Sequence, residues 1–427
     1  MVLTTHRETL DINLKIVKIF GIYGYSKRPL GQYIATVAFR TFNIIITTLV
    51  IITNTADFFV NINELSEVSY NIGYILPMIA TSLKALALFM RQTALTQIIE
   101  DVHMPVTRLI TCLDIGVVNL IKKSVFYQNL DFRIFIFATS CVCVTGLLPI
   151  RQILNTRQLM IRGVFPFDET PYPIFEIIYT LQYYGLMIEC AWCVIFDPAV
   201  MGLVRWITFQ INVLQSNFQH CDDGIPRGYF VITDNNLERE RERQSDNNIK
   251  ILNKSFIPFT EKEANVTNDS FLLRFCHCVK NHRRLIEILN RFNDLFGLIL
   301  FAQITSDCLL TCIGLFQFAL TIKRRRKNLF RDLVMLGSGL IHLGYWSIYG
   351  NLLINEHHKL AKSVYNCGWE NHISSPKIKP VIVFGFYQAL TPMVMQAGYF
   401  FIFSMKTYLS VIQKAYSYFA ILNTMIE

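Results

Sequence analysis

The feature that most constrains this chain is the recurrence of apolar runs about as long as a bilayer is thick. Seven such runs follow one another, over residues 33–60, 67–90, 131–155, 173–200, 293–322, 332–354 and 380–425. A helix needs about 20 apolar residues to cross the hydrocarbon core, and inside lipid only helices and closed barrels satisfy their own backbone. The sequence therefore predicts an all-α polytopic membrane protein with seven transmembrane helices.

The composition agrees with a membrane protein and argues against several other classes. Charged residues make up 17% of the chain, against about 25% in an average soluble protein. The net charge of +9 is too small and too scattered to indicate nucleic-acid binding. The run Cys276-His277-Cys278 lacks the two-residue separation common in zinc sites. No nucleotide-binding or hydrolase motif occurs either, so we expect no enzyme activity, cofactor or metal.

The apolar runs divide the chain into four regions. These are a cytoplasmic N-terminal segment at 1–32, helices one to four at 33–207, a long cytoplasmic loop with a helix extension at 208–292, and helices five to seven at 293–427. The mixed-charge stretch at 237–250 is predicted to be disordered. The last apolar run is too long for one crossing, and Gln396 and Gly398 indicate a break between a pre-helix of about 380–396 and a final helix at 398–425.

The distribution of Lys and Arg predicts a cytoplasmic N-terminus. Basic residues precede the first run and follow the second, whereas the loop NINELSE between them has none. The cluster KRRRK, Lys323–Lys327, would then lie outside and is the exception. The long central loop carries three glycosylation sequons, at Asn253, Asn265 and Asn268. A cytoplasmic loop makes these chance matches, and a sugar on any of them would invert the orientation.

The final helix carries a stripe of small and polar residues. At about 100° per residue, one face collects Lys406, Ser410, Gln413, Ser417, Ala420, Ile421 and Thr424. Unpaired polar groups are costly in lipid, so this face must meet other helices or water. One interpretation is close helix packing through small residues. The other is a pore wall shared by several copies, with Ile421 as an apolar constriction and Thr424 in a polar ring beyond it.

Four stretches, in the same order along the chain, resemble one known family. They are PFDETPYPIFEIIYTLQ (Pro166–Gln182), HRRLIEILNRFNDLFGLILFAQ (His282–Gln303), LAKSVYNCGWENH (Leu360–His372) and AYSYFAILNTM (Ala415–Met425). Each of them is similar to a segment of the insect odorant receptors, and AYSYFAILNTM resembles the C-terminus of that family. The coreceptor of the family ends differently. The Ser417–Asn423 sequence and a central loop that is short in comparison with the coreceptor's resemble a ligand-tuned subunit.

The resemblance implies a function as well as a fold. It implies a tetrameric, odorant-gated, non-selective cation channel built with a shared coreceptor subunit. Such a channel is expected in the plasma membrane, on the dendrite of olfactory sensory neurons. The anchor between subunits would include residues about 355–396, and the final helix would line the pore. By position, Ile421 matches the apolar gate and Thr424 the polar ring.

The resemblance also implies an odorant pocket among helices two, three, four and six, in the outer half of the membrane. Candidate residues on three of these helices combine apolar surface with a few hydroxyl, amide and thiol groups, which suits a small volatile ligand. They are Tyr70, Tyr74, Met78, Thr139, Cys143, Ile178, Tyr179, Gln182 and Tyr183. Ordinary aromatic packing or an interfacial belt is the alternative for each.

Two other classes of receptor are alternatives to an odorant receptor. A G-protein-coupled receptor would have its N-terminus outside, and a gustatory receptor would end on Thr-Tyr, five apolar residues and Gln-Phe. Here Thr407-Tyr408 is followed by four residues, LSVI, which is one fewer than the gustatory pattern, and then by Gln413-Lys414 in place of Gln-Phe.

Three charged residues, Lys84, Glu189 and Asp307, lie within apolar runs. There they either pair between helices or reach the cytoplasmic interface.

Overall fold

The computed structural model describes most of the chain. The described residues are 30–112, 114–147, 157, 159–224, 227–228, 255–323, 329–372, 376–398 and 400–424. The predictions for the N-terminal segment before residue 30 and for the stretch 237–250 lie outside them. Of the KRRRK cluster only Lys323 is among them, as the last residue of a helix.

The described residues fold almost entirely into helices, which confirms the all-α membrane fold. The helices are α1 Leu30–Val60, α2 Leu65–Met90, α3 Gln92–Ile110, α4 Ile115–Leu147, α5 Ile174–Gln219, α6 Glu261–Ala264, α7 Phe271–Lys323, α8 Leu329–Tyr365, a 3₁₀ turn Trp369–His372, α9 Lys379–Ala389 and α10 Met405–Thr424. Two short strands, β1 Gln396–Ala397 and β2 Phe401–Ile402, pair antiparallel just before α10.

Four of these helices are long and apolar enough to cross a membrane by length and composition. They are Leu30–Val60, Glu67–Met90, Ile174–Gln219 and Phe271–Ile322. The other runs expected to cross correspond to α4, α8 and α10, which carry more polar and charged residues. The crossing count of seven and the cytoplasmic N-terminus therefore stay predictions.

Helix α5 continues well beyond the run predicted to cross the membrane. Its 46 residues extend about 69 Å, against roughly 30 Å of hydrocarbon. Near its C-terminal end, apolar residues are buried on all sides rather than along one stripe, which is typical of a core helix. They are Val204, Trp206, Ile207, Phe209, Ile211, Val213 and Leu214. Helix α7 likewise begins at Phe271, before the predicted run, and its buried Leu285, Ile288 and Phe292 join the same core.

Two boundaries differ from the sequence prediction. Residues 92–110 form α3, for which no helix was predicted, although its buried residues Leu95, Ile98, Val102, Val106 and Leu109 follow helical spacing. The pre-helix α9 ends at Ala389 rather than near residue 396. Pro392 accounts for this end, because proline cannot donate to a continuing helix and disfavours helical geometry at the residue before it.

The break before α10 is a hairpin turn closed by Gly398. This glycine adopts φ 61°, a conformation that costs glycine little and other residues more. Its backbone N–H donates to the carbonyl oxygen of Gly297 at 2.6 Å, which ties the hairpin to α7. The predicted interruption at Gln396 and Gly398 is therefore a two-stranded turn, after which the chain enters the final helix.

Candidate functional site

The structure gathers four of the predicted ligand-binding residues into one apolar cluster. Met78 on α2 and Tyr179 on α5 are buried there, and Tyr74 and Tyr183 pack against them. The other buried members come from α1, α5 and the loop before α5. They are Val50, Met160, Ile161, Phe175 and Leu186. The cluster is therefore shared by helices that are far apart in the sequence.

Hydrogen bonds hold the loop of residues 159–164 against this cluster. The Tyr70 hydroxyl donates to the Met160 carbonyl oxygen at 2.6 Å. The Gln182 amide nitrogen donates to the Ile161 carbonyl oxygen at 2.7 Å, and its side-chain oxygen accepts from the Ile161 N–H at 3.4 Å. The polar groups of Tyr70 and Gln182 are thus directed at the loop backbone. No sequence pattern indicates that Met160 and Ile161 lie there.

The remaining three candidates have different surroundings. Thr139 on α4 donates its hydroxyl to the Phe135 carbonyl oxygen of its own helix at 2.7 Å. The thiols of Cys143 and Cys190 lie close together between α4 and α5, and Cys190 packs against the cluster. Ile178 is buried but is not a member of the cluster. The roles of all nine residues in ligand binding stay predictions.

Two of the three charges noted inside apolar runs, Lys84 and Asp307, belong to a network that joins four helices, whereas Glu189 accepts a hydrogen bond from the Ser82 hydroxyl at 3.0 Å. Lys84 of α2 contacts Asp197 of α5, with 2.8 Å between Nζ and Oδ1. His342 of α8 lies between two carboxylates, with Nε2 at 2.9 Å from Asp197 Oδ2 and Nδ1 at 2.8 Å from Asp307 Oδ2 on α7. All four side chains are largely buried. Pairing between helices, rather than exposure at the interface, therefore accounts for Lys84 and Asp307.

Helix α8 connects this network to the start of α10 through aromatic contacts. The rings of His342 and Trp346 are 6.5 Å apart between centroids, and those of Trp346 and Phe403 are 5.7 Å apart. One turn away, Gly350 lies so close to the Phe403 carbonyl group that no side chain fits between them. The approach of α8 to the segment preceding α10 is therefore fixed by direct packing.

Helix α10 packs against the bundle along one face. Val411 and Ala415 are buried, and Tyr408 packs against the core with them. The polar stripe lies on roughly the opposite side of the helix, given about 100° per residue. Within the stripe Gln413 and Ser417 are exposed, Ser410 is half-buried, and Ile421 is 57% exposed. The stripe of a single chain is thus not covered by that chain's own described helices.

Two arginines clamp a carboxylate beyond the membrane-spanning helices. Arg227 Nη2 and Arg274 Nη2 donate to Asp269 at 2.7 and 2.6 Å. Burial alone would raise the pKa of Asp269, but the hydrogen bonds from both guanidinium groups outweigh it and lower the pKa to about 2. Arg227 also donates to the Glu263 carbonyl oxygen at 2.7 Å. The clamp therefore fastens the start of α7 to the loop that precedes it.

These features define an all-helical membrane protein with an aromatic cluster among its helices and a polar terminal helix. A family model described as "7tm Odorant receptor" matches residues 64–416. The chain therefore belongs to the odorant receptor family, whose members are chemoreceptors and not enzymes.

Individual relatives are distant and match in part. "Odorant receptor 65a" of Drosophila melanogaster is 25% identical over 159 residues, which cover 37% of this chain and 38% of that relative. "Odorant receptor 83a" of the same organism is 18% identical over 285 residues, covering 63% of this chain and 61% of the relative. The chain thus matches less than two thirds of the length of these relatives.

Solved structures extend the likeness of fold to the whole chain. The insect olfactory receptor OR5 from Machilis hrabei in complex with eugenol has a TM-score of 0.77 at 10% sequence identity and covers 100% of both chains. The same receptor, in the structure described without eugenol, has a TM-score of 0.73 at 12% identity and covers 99% of both. At such low identity, these matches establish the fold.

Proposed function

We propose that this protein is the ligand-tuned subunit of an odorant-gated, non-selective cation channel. A small volatile ligand binds at the cluster of Tyr74, Met78, Tyr179 and Tyr183, in the half of the bundle predicted to face outward. Burial of ligand surface supplies affinity, and the few polar groups orient the ligand. Binding opens a pore lined by α10 because the ligand has higher affinity for the open arrangement.

The observation that carries this proposal is the exposure of the polar stripe on α10. The Ser417 hydroxyl donates to the Gln413 carbonyl oxygen of its own helix at 3.0 Å. The exposed Gln413 amide, however, needs water or other subunits on that side, because lipid does not satisfy polar groups. Several copies around an axis supply both, with Ile421 as the gate and Thr424 in the ring beyond it. The side chain of Thr424 lies outside the described side chains, so its role rests on position in the helix.

The same arrangement requires partners. We propose a heterotetramer with the odorant coreceptor subunit in the plasma membrane of olfactory neurons. The anchor of residues 355–396 joins the subunits around a shared axis. The helix α9, whose Val383, Phe384 and Tyr387 are exposed, supports an interface there, because exposed apolar patches commonly indicate contact sites.

The test is electrical recording from cells that express the chain with and without the coreceptor. We expect odorant-evoked, cation-selective currents with both subunits present, and a response profile set by this chain. Ligand responses that persist through G proteins, without a conductance that depends on this chain, would overturn the channel proposal. Labelling of an N-terminal tag only in permeabilised cells is expected, and labelling in intact cells would favour the G-protein-coupled alternative.

A gustatory receptor channel of the same superfamily is the nearest alternative. The family match favours the odorant branch. Volatile and water-soluble tastant panels applied to the same cells separate the two. Responses confined to the tastant panel would assign the chain a gustatory role without changing the channel mechanism.

A further inference from the structure

A cavity of roughly 900 Å³ lies away from the proposed odorant site, between α4, α5 and α8. Helix α5 forms its floor, and α4 and α8 form its two walls. We call this cavity the α4–α8 slot. Its lining runs along α4 from Leu120 to Asp131, a distance of about 16 Å at helical rise. The runs predicted to cross the membrane begin at residue 131 on α4 and end at residue 200 on α5, so the slot lies at the predicted cytoplasmic surface of the membrane.

One end of the slot is closed by an ion pair among aromatic rings. Arg205 Nη2 donates to Asp131 Oδ2 at 2.9 Å, and the Tyr345 hydroxyl donates to Asp131 Oδ1 at 3.1 Å. The guanidinium carbon of Arg205 is 5.1 Å from the Tyr127 ring centroid and 4.8 Å from that of Tyr349. This end is therefore closed by the ion pair and the rings around it.

The walls next to that end are apolar and open toward the outside of the bundle. Leu130 on α4 is 38% exposed and Ile348 on α8 is 53% exposed, and both line the slot. In a membrane-embedded helix bundle such side chains meet lipid tails. An acyl chain can therefore enter the slot sideways, between the two walls.

The other end of the slot is polar and carries two lysines. Lys359 contacts Glu356, with 2.7 Å between Nζ and Oε1, and its side chain is 64% exposed. Lys123 is exposed at the facing wall, and it forms no ion pair with the residues that the structure describes. Asp131 is paired with Arg205, and Glu356 is paired with Lys359. The positive charge of Lys123 is not balanced by a carboxylate of the lining, so the net charge of the slot lining is positive.

We propose that the α4–α8 slot holds one glycerophospholipid with an anionic headgroup. The acyl chain lies along Leu130 and Ile348, and the phosphate group lies between Lys123 and Lys359. With the cytoplasmic N-terminus that the distribution of Lys and Arg predicts, the lipid comes from the inner leaflet, whose anionic lipids attract basic residues at the membrane surface. Binding of this lipid requires neither odorant nor a second subunit type.

The experiment uses the full chain reconstituted in nanodiscs of phosphatidylcholine with or without phosphatidylserine. Native mass spectrometry counts the phosphatidylserine retained after detergent exchange. Lys123→Gln removes the charge that lacks a partner, and Lys122→Gln is the matched control, because Lys122 is exposed next to it but does not line the slot. Ile348→Trp narrows the slot, and Leu333→Trp places the same ring at an exposed site on α8 outside it.

We expect wild type, Lys122→Gln and Leu333→Trp to retain phosphatidylserine equally. Lys123→Gln is expected to weaken retention about fivefold, and Ile348→Trp to reduce it further. Equal retention by all variants would overturn the site. A thermal shift as large with inorganic phosphate alone as with phosphatidylserine would overturn the lipid as its occupant. The retention of phosphatidylserine is measured without recording current, so a failed channel assay does not affect this test of the lipid site.

Discussion

At the scale of single residues, buried charge is the most informative feature of this chain. Lys84 lies in an apolar run, and an isolated ammonium group would be very costly there. Asp197 offsets its charge, and His342 links that carboxylate to Asp307 on a third helix. The sequence marks Lys84 and Asp307 as candidates for pairing. Their shared partners depend on how four helices are rotated and offset, which no local pattern records.

Replacing Lys84 by Met is expected to destabilise the protein by about 3 kcal/mol, because it leaves a buried carboxylate with one partner fewer. Asp197→Asn combined with Lys84→Met should cost less than the sum of the two single changes, with a coupling energy of about 1 kcal/mol or more. Thermal unfolding in nanodiscs measures both. If the two single changes in unfolding free energy simply add in the double variant, Lys84 and Asp197 have no coupling energy.

Replacing Ile421 by Ser is expected to raise the current in the absence of ligand, because a polar side chain removes the dewetted constriction. Leu409→Ser on the same helix is the control, since Leu409 is 56% exposed but lies off the polar stripe. Basal conductance is recorded at matched surface expression. Equal currents from the two variants would contradict the gate.

Replacing Tyr74 by Ala is expected to change the ranking of agonists, because it removes aromatic surface from the proposed ligand site. Unitary conductance should stay as in wild type, since the cluster against which Tyr74 packs contains no residue of α10. Phe137→Ala provides the comparison, as Phe137 is a 71% exposed ring on α4. A parallel loss of response to every agonist in both variants would point to folding instead.

At the scale of elements, contacts between helices explain where the chain bends and ends. Pro392 ends α9, and Gly398 turns the chain between β1 and β2. Gly350 then allows α8 to touch the backbone at Phe403, just before α10 begins. These proline and glycine positions place the final helix against the bundle.

Replacing Gly350 by Ala is expected to lower stability by about 2–3 kcal/mol, because the added Cβ overlaps the Phe403 carbonyl group. Gly337→Ala on the same helix is the control, since an added Cβ there meets nothing within 4 Å. Thermal unfolding and surface expression are compared for the two variants. Wild-type behaviour of Gly350→Ala would show that α8 and the hairpin are not in close contact.

Replacing Asp269 by Asn is expected to destabilise the protein by about 1–2 kcal/mol near neutral pH, because it removes two charge-assisted hydrogen bonds. The folded-state pKa of about 2 lies below the unfolded value of about 3.9. The contribution is therefore full above pH of about 4 and is lost as pH falls toward 2. Unfolding is measured across this range, with Glu261→Gln as an exposed control. A stability difference that does not change with pH would contradict the clamp.

At the scale of the whole molecule, the chain has a membrane part and a region beyond it, and α5 and α7 extend through both. The sequence predicts that the membrane part is built from α1, α2, α4, α5, α7, α8 and α10, and the charges of Lys84, Asp197, His342 and Asp307 are paired inside the bundle. Beyond it, the continuations of α5 and α7 pack with α3 around Trp206, Phe292 and Val102. The helical spacing in α3 was present in the sequence, but its length and its lower hydropathy were typical of a surface segment.

The sequence by itself determined the all-helical membrane fold, the interruption near Gly398 and the polar stripe on the last helix. Each follows from local chemistry, because apolar length, glycine conformation and helical periodicity are properties of neighbouring residues. The tertiary structure alone decided that Met160 and Ile161 close over the aromatic cluster, that Lys84 reaches Asp197, and that the polar stripe points away from its own bundle. Those outcomes depend on the rotation and offset of helices that are distant in the sequence, and packing of the whole chain sets both.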